Sequence, residues 1–159
     1  MVSLRPAQKS DWARLFFWRN HPSTRAQFVN GEPVSLAAHV TWMENILASD
    51  QARLFVAADS ERSVTVGTAR LDLDTKKKSA TVSLTVDPEQ RGRGYASQIL
   101  RKLEVQAGLL KVEKLVATVF EGNASSLRAF ADAEYCLDAV GPADDKKGHV
   151  VTLVRMVSR

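Results

Sequence analysis

The chain has 159 residues and a mass of 17.5 kDa, with 45% hydrophobic and 25% charged residues, which is the balance expected of one globular domain over residues 1–159. The longest unbroken apolar run, residues 54–58, is too short to cross a bilayer, and the first residues lack the apolar stretch of a signal peptide. We therefore expect no membrane association and a cytoplasmic location.

The single cysteine, Cys136, excludes an internal disulfide and a multi-cysteine zinc site, and we expect no metal. A net charge of +4 favours anionic ligands.

The first fifty residues predict a short strand followed by two amphipathic helices. Residues 2–6 alternate between apolar and polar side chains, as an edge strand does. Ser10 stands where an N-cap belongs, so the first helix is expected over residues 11–20, and a second begins after Ser35 and ends near Ala48. Their core-facing stripes are Trp12, Leu15, Phe16 and Arg19 in the first helix, and Leu36, Val40, Met43 and Leu47 in the second.

Three strands are predicted in the middle of the chain. Residues 52–58 are apolar, residues 63–72 alternate less regularly, and residues 79–86 alternate clearly between Val or Leu and Ser or Thr. A lysine-rich turn, residues 74–78, joins the last two strands, so we expect them to form an antiparallel hairpin.

The second half of the chain predicts an alternation of helix and strand. A long amphipathic helix follows a glycine-containing loop, residues 90–96, and leads to a strand over residues 114–120. A helix over about residues 123–133 and a final strand over residues 149–157 complete the pattern. Because a helix connects residues 79–86 to residues 114–120, these two strands are expected to lie parallel.

The loop at residues 90–96 has the features of a phosphate-binding site. Gly92 and Gly94 let the backbone approach a ligand closely, and the first N–H groups of the following helix are available to an anion. Arg91 and Arg93 add positive charge. The loop is neither a P-loop, which needs Gly-Lys-Ser/Thr, nor the dinucleotide fingerprint, which needs a third glycine. A solvated surface connection with exposed arginines is the alternative interpretation.

Two segments of this half resemble the signatures of the GNAT acetyltransferases. Arg91-x-x-Gly94-x-Ala96 matches the R/Q-x-x-G-x-G/A motif with which that family binds the pyrophosphate of acetyl-CoA. Further along, Asn123 leads a helix within residues 121–130, as in the second GNAT signature beside the pantetheine arm. The order of strands and helices resembles the family over nearly the whole chain.

The resemblance implies an α/β (α+β) GNAT fold, with a central mixed sheet of six or seven strands flanked by about four helices. The parallel strands 79–86 and 114–120 are expected to splay apart after starting paired, so that the pantetheine amides of acetyl-CoA fill the gap. A backbone N–H near Val86 would then polarise the thioester carbonyl. The residues implied at the cofactor are Leu84, Val86, Arg91, Gly92, Arg93, Gly94, Tyr95, Ala96, Asn123, Ser126 and Phe130.

A finer resemblance lies in residues 18–22 and 32–36 and in His39. These segments are similar to the aminosugar N-acetyltransferases of pseudaminic acid biosynthesis, which acetylate a UDP-linked amino-dideoxy sugar. The ribosomal-protein N-terminal acetyltransferases carry a similar Trp-Arg-Asn opening. In the aminosugar subfamily the residues matching Arg19 and His39 lie at the sugar-nucleotide site. The residues implied to bind the acceptor are Arg19, His39, Thr68, Arg70 and Thr85.

Several side chains of the N-terminal half can be interpreted in more than one way. Arg19 lies on a core-facing stripe, where a cation needs an anionic partner such as a nucleotide pyrophosphate or an internal carboxylate. His39 is either a packed side chain or a base. Arg70 either contacts the substrate or pairs with an acid. Trp18 and Trp42 are interpreted as core residues.

The sequence departs from the family pattern at two catalytic positions. Phe130 stands where GNAT enzymes often have a tyrosine that protonates the departing thiolate, so water, another hydroxyl or no acid would serve. Thr118 stands where the aminosugar subfamily carries a carboxylate, and threonine is no base at neutral pH. The remaining candidates for the general base are His39, Glu121 and Asp72.

Together these features predict an acetyl-CoA-dependent N-acetyltransferase that acts on a primary amine of an anionic nucleotide-linked aminosugar, without nucleic acid as a partner. A protein N-terminal or small-amine acetyltransferase is the alternative. A non-catalytic CoA-binding protein is a third hypothesis, motivated by Phe130 and Thr118. A homodimer is left open.

Overall fold

Seven strands form one mixed sheet in the computed structural model, which describes residues 1–28, 31–143 and 148–158. The strands are β1 (Val2–Pro6), β2 (Ala52–Asp59), β3 (Val64–Asp74), β4 (Ser79–Val86), β5 (Lys114–Phe120), β6 (Cys136–Pro142) and β7 (His149–Met156). Their order across the sheet is β1-β2-β3-β4-β5-β7-β6. The predicted hairpin of β3 and β4 is confirmed.

The described part of the chain also contains five α-helices and two 3₁₀ turns. The helices are α1 (Trp12–Asn20), α2 (Pro22–Arg25), α3 (Leu36–Ala48), α4 (Tyr95–Leu109) and α5 (Ala124–Asp132), and the turns are Lys9–Asp11 and Pro88–Gln90. Ser35 caps α3, as the sequence predicts, and Asn123 caps α5. None of the helices in these residues is long and apolar enough to span a membrane.

The parallel strands β4 and β5 pair only where they begin. Residues 79–81 lie opposite residues 114–116, and the ladder then stops. Each strand continues to pair on its other side, β4 with β3 up to Val86 and β5 with β7 up to Phe120. The predicted splay is therefore confirmed, and it leaves a gap in the middle of the sheet.

Helix α4 covers one face of the sheet, and its apolar stripe forms the main core. Ile99, Leu100 and Leu103 are fully buried in one cluster with Leu71 of β3 and Leu115 of β5. Burying a side chain of this size contributes about 1.5–3 kcal/mol. The start of α4 is thus held firmly at the end of β4.

Helices α1 and α3 cover the opposite face. Successive strand residues point to opposite sides of a sheet. In β2, Phe55 therefore belongs to the main core, whereas Leu54 and Val56 form a second core with Leu15 of α1 and Met43 of α3. The two faces together enclose the end of β4 from both sides.

The start of α1 differs from the prediction, because Ser10 is not its N-cap. Gln8 and Asp11 cap the preceding 3₁₀ turn reciprocally, with the Gln8 backbone N–H donating to Asp11 Oδ2 at 2.8 Å. Arg5 also binds this buried carboxylate, at 2.7 Å, and its hydrogen bond lowers the pKa of Asp11. This network places the start of the helix at Trp12.

The predicted stripe of α3 is also wrong in part. Leu36 and Val40 are exposed, and His39 is buried with Met43. Residues four apart lie on the same face of a helix. His39 therefore shares the face of α3 on which Met43 packs against the second core. Trp12, assigned to the core-facing stripe of α1, is likewise largely exposed.

Two short elements were not predicted. Strand β6 is almost entirely exposed and lacks an alternating pattern, and it forms because β7 offers it a pairing edge. Helix α2 is a single turn, capped by the His21 side chain, in a segment that the sequence predicts to be a loop.

Candidate active site

Two cavities meet at the splayed end of β4. The first, which we call the loop cavity, has a volume of about 490 Å³ and lies between the loop before α4 and helix α5. The second, which we call the arginine cavity, has about 440 Å³ and lies under α1 and α3. Leu84 lines both of them, so the two cavities adjoin at this residue.

The loop cavity is built around two glycines with left-handed backbone. Gly92 has a φ of 76° and Gly94 has a φ of 77°, in a backbone region that residues with a Cβ rarely adopt. Gly94 is the N-cap of α4 and offers no side chain to the first N–H groups of the helix. These groups and the positive end of the helix dipole favour phosphate oxygens.

The two arginines of the loop take different positions. Arg91 lines the loop cavity, and its guanidinium is hydrogen-bonded to the hydroxyls of Ser23 and Thr24 in α2. Burial lowers the pKa of Arg91, and the nearby Asp87 carboxylate opposes this effect. Arg93 is exposed and is not part of the cavity wall. The cavity is therefore lined by Ala96, the backbone of the loop and Arg91, whereas Arg93 lies outside it.

The side chain of Tyr95 turns away from the loop cavity into the protein. Its hydroxyl donates to Asp59 Oδ2 at 2.6 Å and accepts from Arg62 Nη1 at 2.9 Å. The Tyr95 hydrogen bond lowers the pKa of Asp59 to about 2. The Tyr95 ring is therefore engaged inside the protein and anchors the start of α4.

Helix α5 supplies the far wall of the loop cavity. Ser126 and Phe130 line it, together with Leu84 and Val86 from β4. Asn123 is not at the wall, because its side-chain oxygen accepts the Ser126 backbone N–H at 3.2 Å and caps the helix. Phe130 lies edge-on to another aromatic ring, that of Tyr135, with ring centroids 4.9 Å apart.

The arginine cavity contains all five residues that the sequence predicts for the acceptor: Arg19, His39, Thr68, Arg70 and Thr85. The guanidinium of Arg19 lies over the ring of Phe28, 4.3 Å from its centroid. Burial lowers the pKa of Arg19, with a smaller effect from the charge of Arg25. None of the described residues that line this cavity is a carboxylate, and Asp72, outside the wall, pairs with Arg70 at 3.0 Å.

Three aromatic side chains line this cavity, and one of them, Phe28, was not predicted at the site. Trp18 is buried and Trp42 packs against the second core, as the sequence predicts, and both also line the cavity. The position of Trp18 beside Arg19 was a usable signal. Nothing in the local pattern marks Phe28, which reaches the cavity only because of the path of the chain after α2.

His39 lies between two rings inside the arginine cavity. It is 3% exposed, and its centroid is 5.4 Å from those of Phe16 and Trp42. Burial lowers the pKa of His39, and a hydrogen bond with the Trp12 backbone opposes this effect. Within the described part of the chain, Nε2 has no hydrogen-bond partner. A neutral imidazole nitrogen of this kind can accept a proton.

The other candidate bases lie outside both cavities. Glu121 is exposed and pairs with His149 Nδ1 at 3.2 Å. Asp72 pairs at 3.0 Å with Arg70, and this pair joins it to the rim of the arginine cavity without making it part of the wall. In the described residues, no three His, Cys, Asp or Glu side chains are grouped as metal ligands would be.

The family model described as an acetyltransferase (GNAT) domain matches residues 2–134. A protein of Bacillus subtilis (strain 168), the uncharacterized N-acetyltransferase YfmK, is 36% identical over 64 residues, which are 40% of this chain and 43% of that protein. The matched segment is thus less than half of the length of this curated relative.

Solved structures share the fold over almost the whole chain. A spermidine N-acetyltransferase from Vibrio cholerae, in complex with CoA and spermine, gives a TM-score of 0.89 at 15% identity, over 98% of this chain and 95% of that chain. The aminoglycoside acetyltransferase AAC(6')-Ib, in complex with coenzyme A, gives 0.83 at 18% identity, over 98% and 95%. At these identities the likeness shows the fold. With the family match over residues 2–134, it follows that the chain belongs to the GNAT acetyltransferase family.

Proposed function

We propose that this protein transfers the acetyl group of acetyl-CoA, bound in the loop cavity, to a primary amine bound in the arginine cavity. The amine nitrogen forms a bond to the acetyl carbon and the thioester C–S bond breaks. CoA leaves as the thiolate, and the proton lost by the amine passes to a base. The position of Leu84 on the wall of both cavities supports this route, because the two reactants would meet there.

The cofactor assignment is supported by the backbone of the loop. Gly92 and Gly94 expose N–H groups at the start of α4 to an anion, and Arg91 adds charge. The gap between β4 and β5 offers unpaired strand edges to the amides of pantetheine, as an added strand would use them. Val86, at the end of β4, is our candidate for the backbone N–H that polarises the thioester.

The charge of the arginine cavity carries the proposal for the acceptor. Arg19 of α1 and Arg70 of β3 both line it, and no described residue of its wall is a carboxylate, although Asp72 pairs with Arg70 from outside the wall. A polycation such as spermine needs carboxylates, whereas an amine on an anionic carrier is attracted. The rings of Trp18, Phe28 and Trp42 offer stacking surfaces to a base. We therefore propose a nucleotide-linked aminosugar as the acceptor.

His39 is our candidate for the general base. It is neutral at neutral pH because burial lowers its pKa, and its Nε2 has no partner among the described residues of the cavity. A base of matched pKa needs to remove one proton from the ammonium group, directly or through a water molecule. Glu121 and Asp72 remain candidates only if a water chain connects them to the cavity.

An acceptor panel tests the proposal through the release of CoA thiol. The panel contains UDP-linked aminosugars, free aminosugars, glutamate, spermine, an aminoglycoside and a peptide with a free N-terminus. We expect the nucleotide aminosugars to give the highest kcat/KM. Faster acetylation of spermine or the aminoglycoside would contradict an anionic acceptor, and faster acetylation of glutamate would keep the charge but reject the nucleotide. Release of no thiol with any amine would support a non-catalytic CoA-binding protein.

A further inference from the structure

The guanidinium of Arg91 crosses from the loop to helix α2. Its Nη1 donates to Ser23 Oγ at 2.5 Å and its Nη2 donates to Thr24 Oγ1 at 2.8 Å, although Ser23 is 68 residues away in the sequence. Thr24 is 1% exposed, so its half of the contact is shielded from water, whereas the bond to Ser23 lies at the surface. A charged hydrogen bond keeps more of its strength in such surroundings.

Helix α2 leads directly into residues that line both cavities. Just beyond it, Gln27 lines the loop cavity and Phe28 lines the arginine cavity. The Phe28 ring lies under the guanidinium of Arg19. Because α2 is a single turn, it cannot hold its own conformation and depends on tertiary contacts. The contact with Arg91 is one of these.

The same segment is fastened to the arginine cavity at its other side. Asn20, the last residue of α1, exchanges two hydrogen bonds with the backbone of Val34, at 2.7 and 2.8 Å, and Val34 lines that cavity. Arg25 donates to the carbonyl oxygens of Asn20 at 3.2 Å and of Gly31 at 3.3 Å. A shift of α2 would therefore move part of the cavity wall.

We propose that Arg91 is a positioning residue for the acceptor as well as a part of the loop cavity. Through Ser23 and Thr24 it fixes α2, and thereby Phe28 and Arg19, so that the loop and the arginine cavity are coupled. This inference rests on the proposed function, since it names the contents of both cavities. It extends the role of Arg91 beyond the pyrophosphate contact that the motif implies.

One set of variants separates the charge of Arg91 from its contact with α2. Ser23→Ala combined with Thr24→Val keeps the guanidinium and removes both hydroxyls, and valine preserves the buried volume of threonine. We expect the KM of the acceptor to rise roughly fivefold to tenfold. The Kd of CoA, measured by calorimetry, should stay within about twofold, because the loop is unchanged. Arg91→Met should raise both constants.

Two further comparisons sharpen this experiment. Adding Thr24→Val to Arg91→Met should raise the acceptor KM no further, because the Thr24 hydroxyl acts through Arg91, whereas Ser23 also contacts the His21 ring at 2.7 Å. Arg14→Met removes an exposed arginine from α1, outside both cavities, and should change neither constant. Additive effects, or an equal effect of Arg14→Met, would overturn the proposal.

Hydrogen exchange provides a measurement that needs no acceptor. Amides of residues 21–28 should exchange faster in Arg91→Met and in the Ser23→Ala/Thr24→Val variant, and more slowly when CoA is added to the wild type. Unchanged exchange in both variants would overturn the proposal. Faster exchange with CoA would do the same, because Arg91 would then leave α2 for the pyrophosphate. If no amine is acetylated, this result still decides the coupling, and only the proposed function fails.

Discussion

The hydroxyl of Tyr95 donates a 2.6 Å hydrogen bond to Oδ2 of Asp59, and this bond joins the first residue of α4 to the last residue of β2. The other carboxylate oxygen accepts the backbone N–H of Glu61 at 3.0 Å. Because Gly94, the N-cap of α4, directly precedes Tyr95, the pair holds the backbone of the proposed phosphate site from behind. That backbone therefore depends on a contact inside the protein.

This bond should make the stability of the protein depend on acid pH. The Tyr95 hydrogen bond lowers the pKa of Asp59 from 3.8 to about 2. A carboxylate with a lowered pKa contributes stability that is present above its unfolded-state pKa and is lost as the pH falls through its folded-state pKa. Between about pH 5 and about pH 2, the Tm of the wild type should fall more than that of Tyr95→Phe. Parallel losses in the two proteins would contradict this role of Tyr95.

Gly94→Ala should weaken CoA binding through backbone strain. A Cβ at Gly94 would meet no atom within 4 Å, but the φ of 77° is left-handed, which costs an L-residue about 1–2 kcal/mol. The free loop of the variant is expected to relieve this strain by leaving the left-handed region, and CoA binding must then restore it, so calorimetry should show a Kd for CoA raised roughly fivefold to thirtyfold. Gly122→Ala is the matched control, because its surroundings are equally open and its φ is not left-handed. Unchanged CoA affinity in Gly94→Ala would place the pyrophosphate elsewhere.

Phe130→Tyr should leave kcat unchanged or raise it. The ring is 4% exposed and lines the loop cavity, so a tyrosine there keeps the packing and adds a proton donor for the departing thiolate. Phe130→Ala should instead lower the free energy of unfolding by about 3–5 kcal/mol. A large loss of kcat in Phe130→Tyr at unchanged Tm would show that the aromatic wall has a role that a hydroxyl disturbs.

Arg19→Ala should raise the acceptor KM roughly tenfold to a hundredfold, because a partly shielded charged contact is worth about 1.5–3 kcal/mol. Arg19→Lys should recover only part of this loss, since the flat guanidinium stacks on Phe28. Added salt should weaken acceptor binding more in the wild type than in Arg19→Ala. CoA affinity serves as the internal control. A lower Tm with an unchanged KM would assign Arg19 to a structural role.

His39→Gln should lower kcat by roughly a hundredfold and remove the acidic limb of its pH profile. Burial lowers the pKa of His39 from 6.5, so the wild-type enzyme should lose activity only below the ordinary histidine range, where the ring becomes protonated. His149→Gln changes an exposed histidine outside both cavities and should preserve the profile. If Glu121→Gln or Asp72→Asn removes the acidic limb instead, the base is that carboxylate.

Local patterns predict the central part of the fold because they act over a few residues. The alternation in β4, the stripe of α4 and the cap at Ser35 each depend on neighbours in sequence, and all appear in the structure. Strand β6 escapes prediction because only its pairing with β7 makes it a strand. Ser10 is not the cap of α1, because Arg5 binds the Asp11 carboxylate and so fixes the 3₁₀ turn that precedes the helix.

The site was predicted at the level of the backbone more than at the level of side chains. The motif places Gly94 and the start of α4 at a cavity, but it does not show that Tyr95 turns inward or that Arg91 reaches α2. These orientations depend on partners 36 and 67 residues away, respectively. A motif records which residues are present, and only the packed chain decides where long side chains point.

The short ladder between β4 and β5 gives this sheet an open edge in its interior. Pairing stops after residues 79–81 and 114–116, so both strands keep free N–H and C=O groups that face a widening gap. An exposed strand edge usually invites other chains and promotes aggregation. Here the edges diverge beneath two covering faces of helices, and a flat strand from another molecule has little access. A ligand that fills the gap, at a free concentration of about 100 times its Kd, would add about 2.7 kcal/mol to the free energy of unfolding. The fraction of protein that stays soluble on heating would then report how far the gap is occupied.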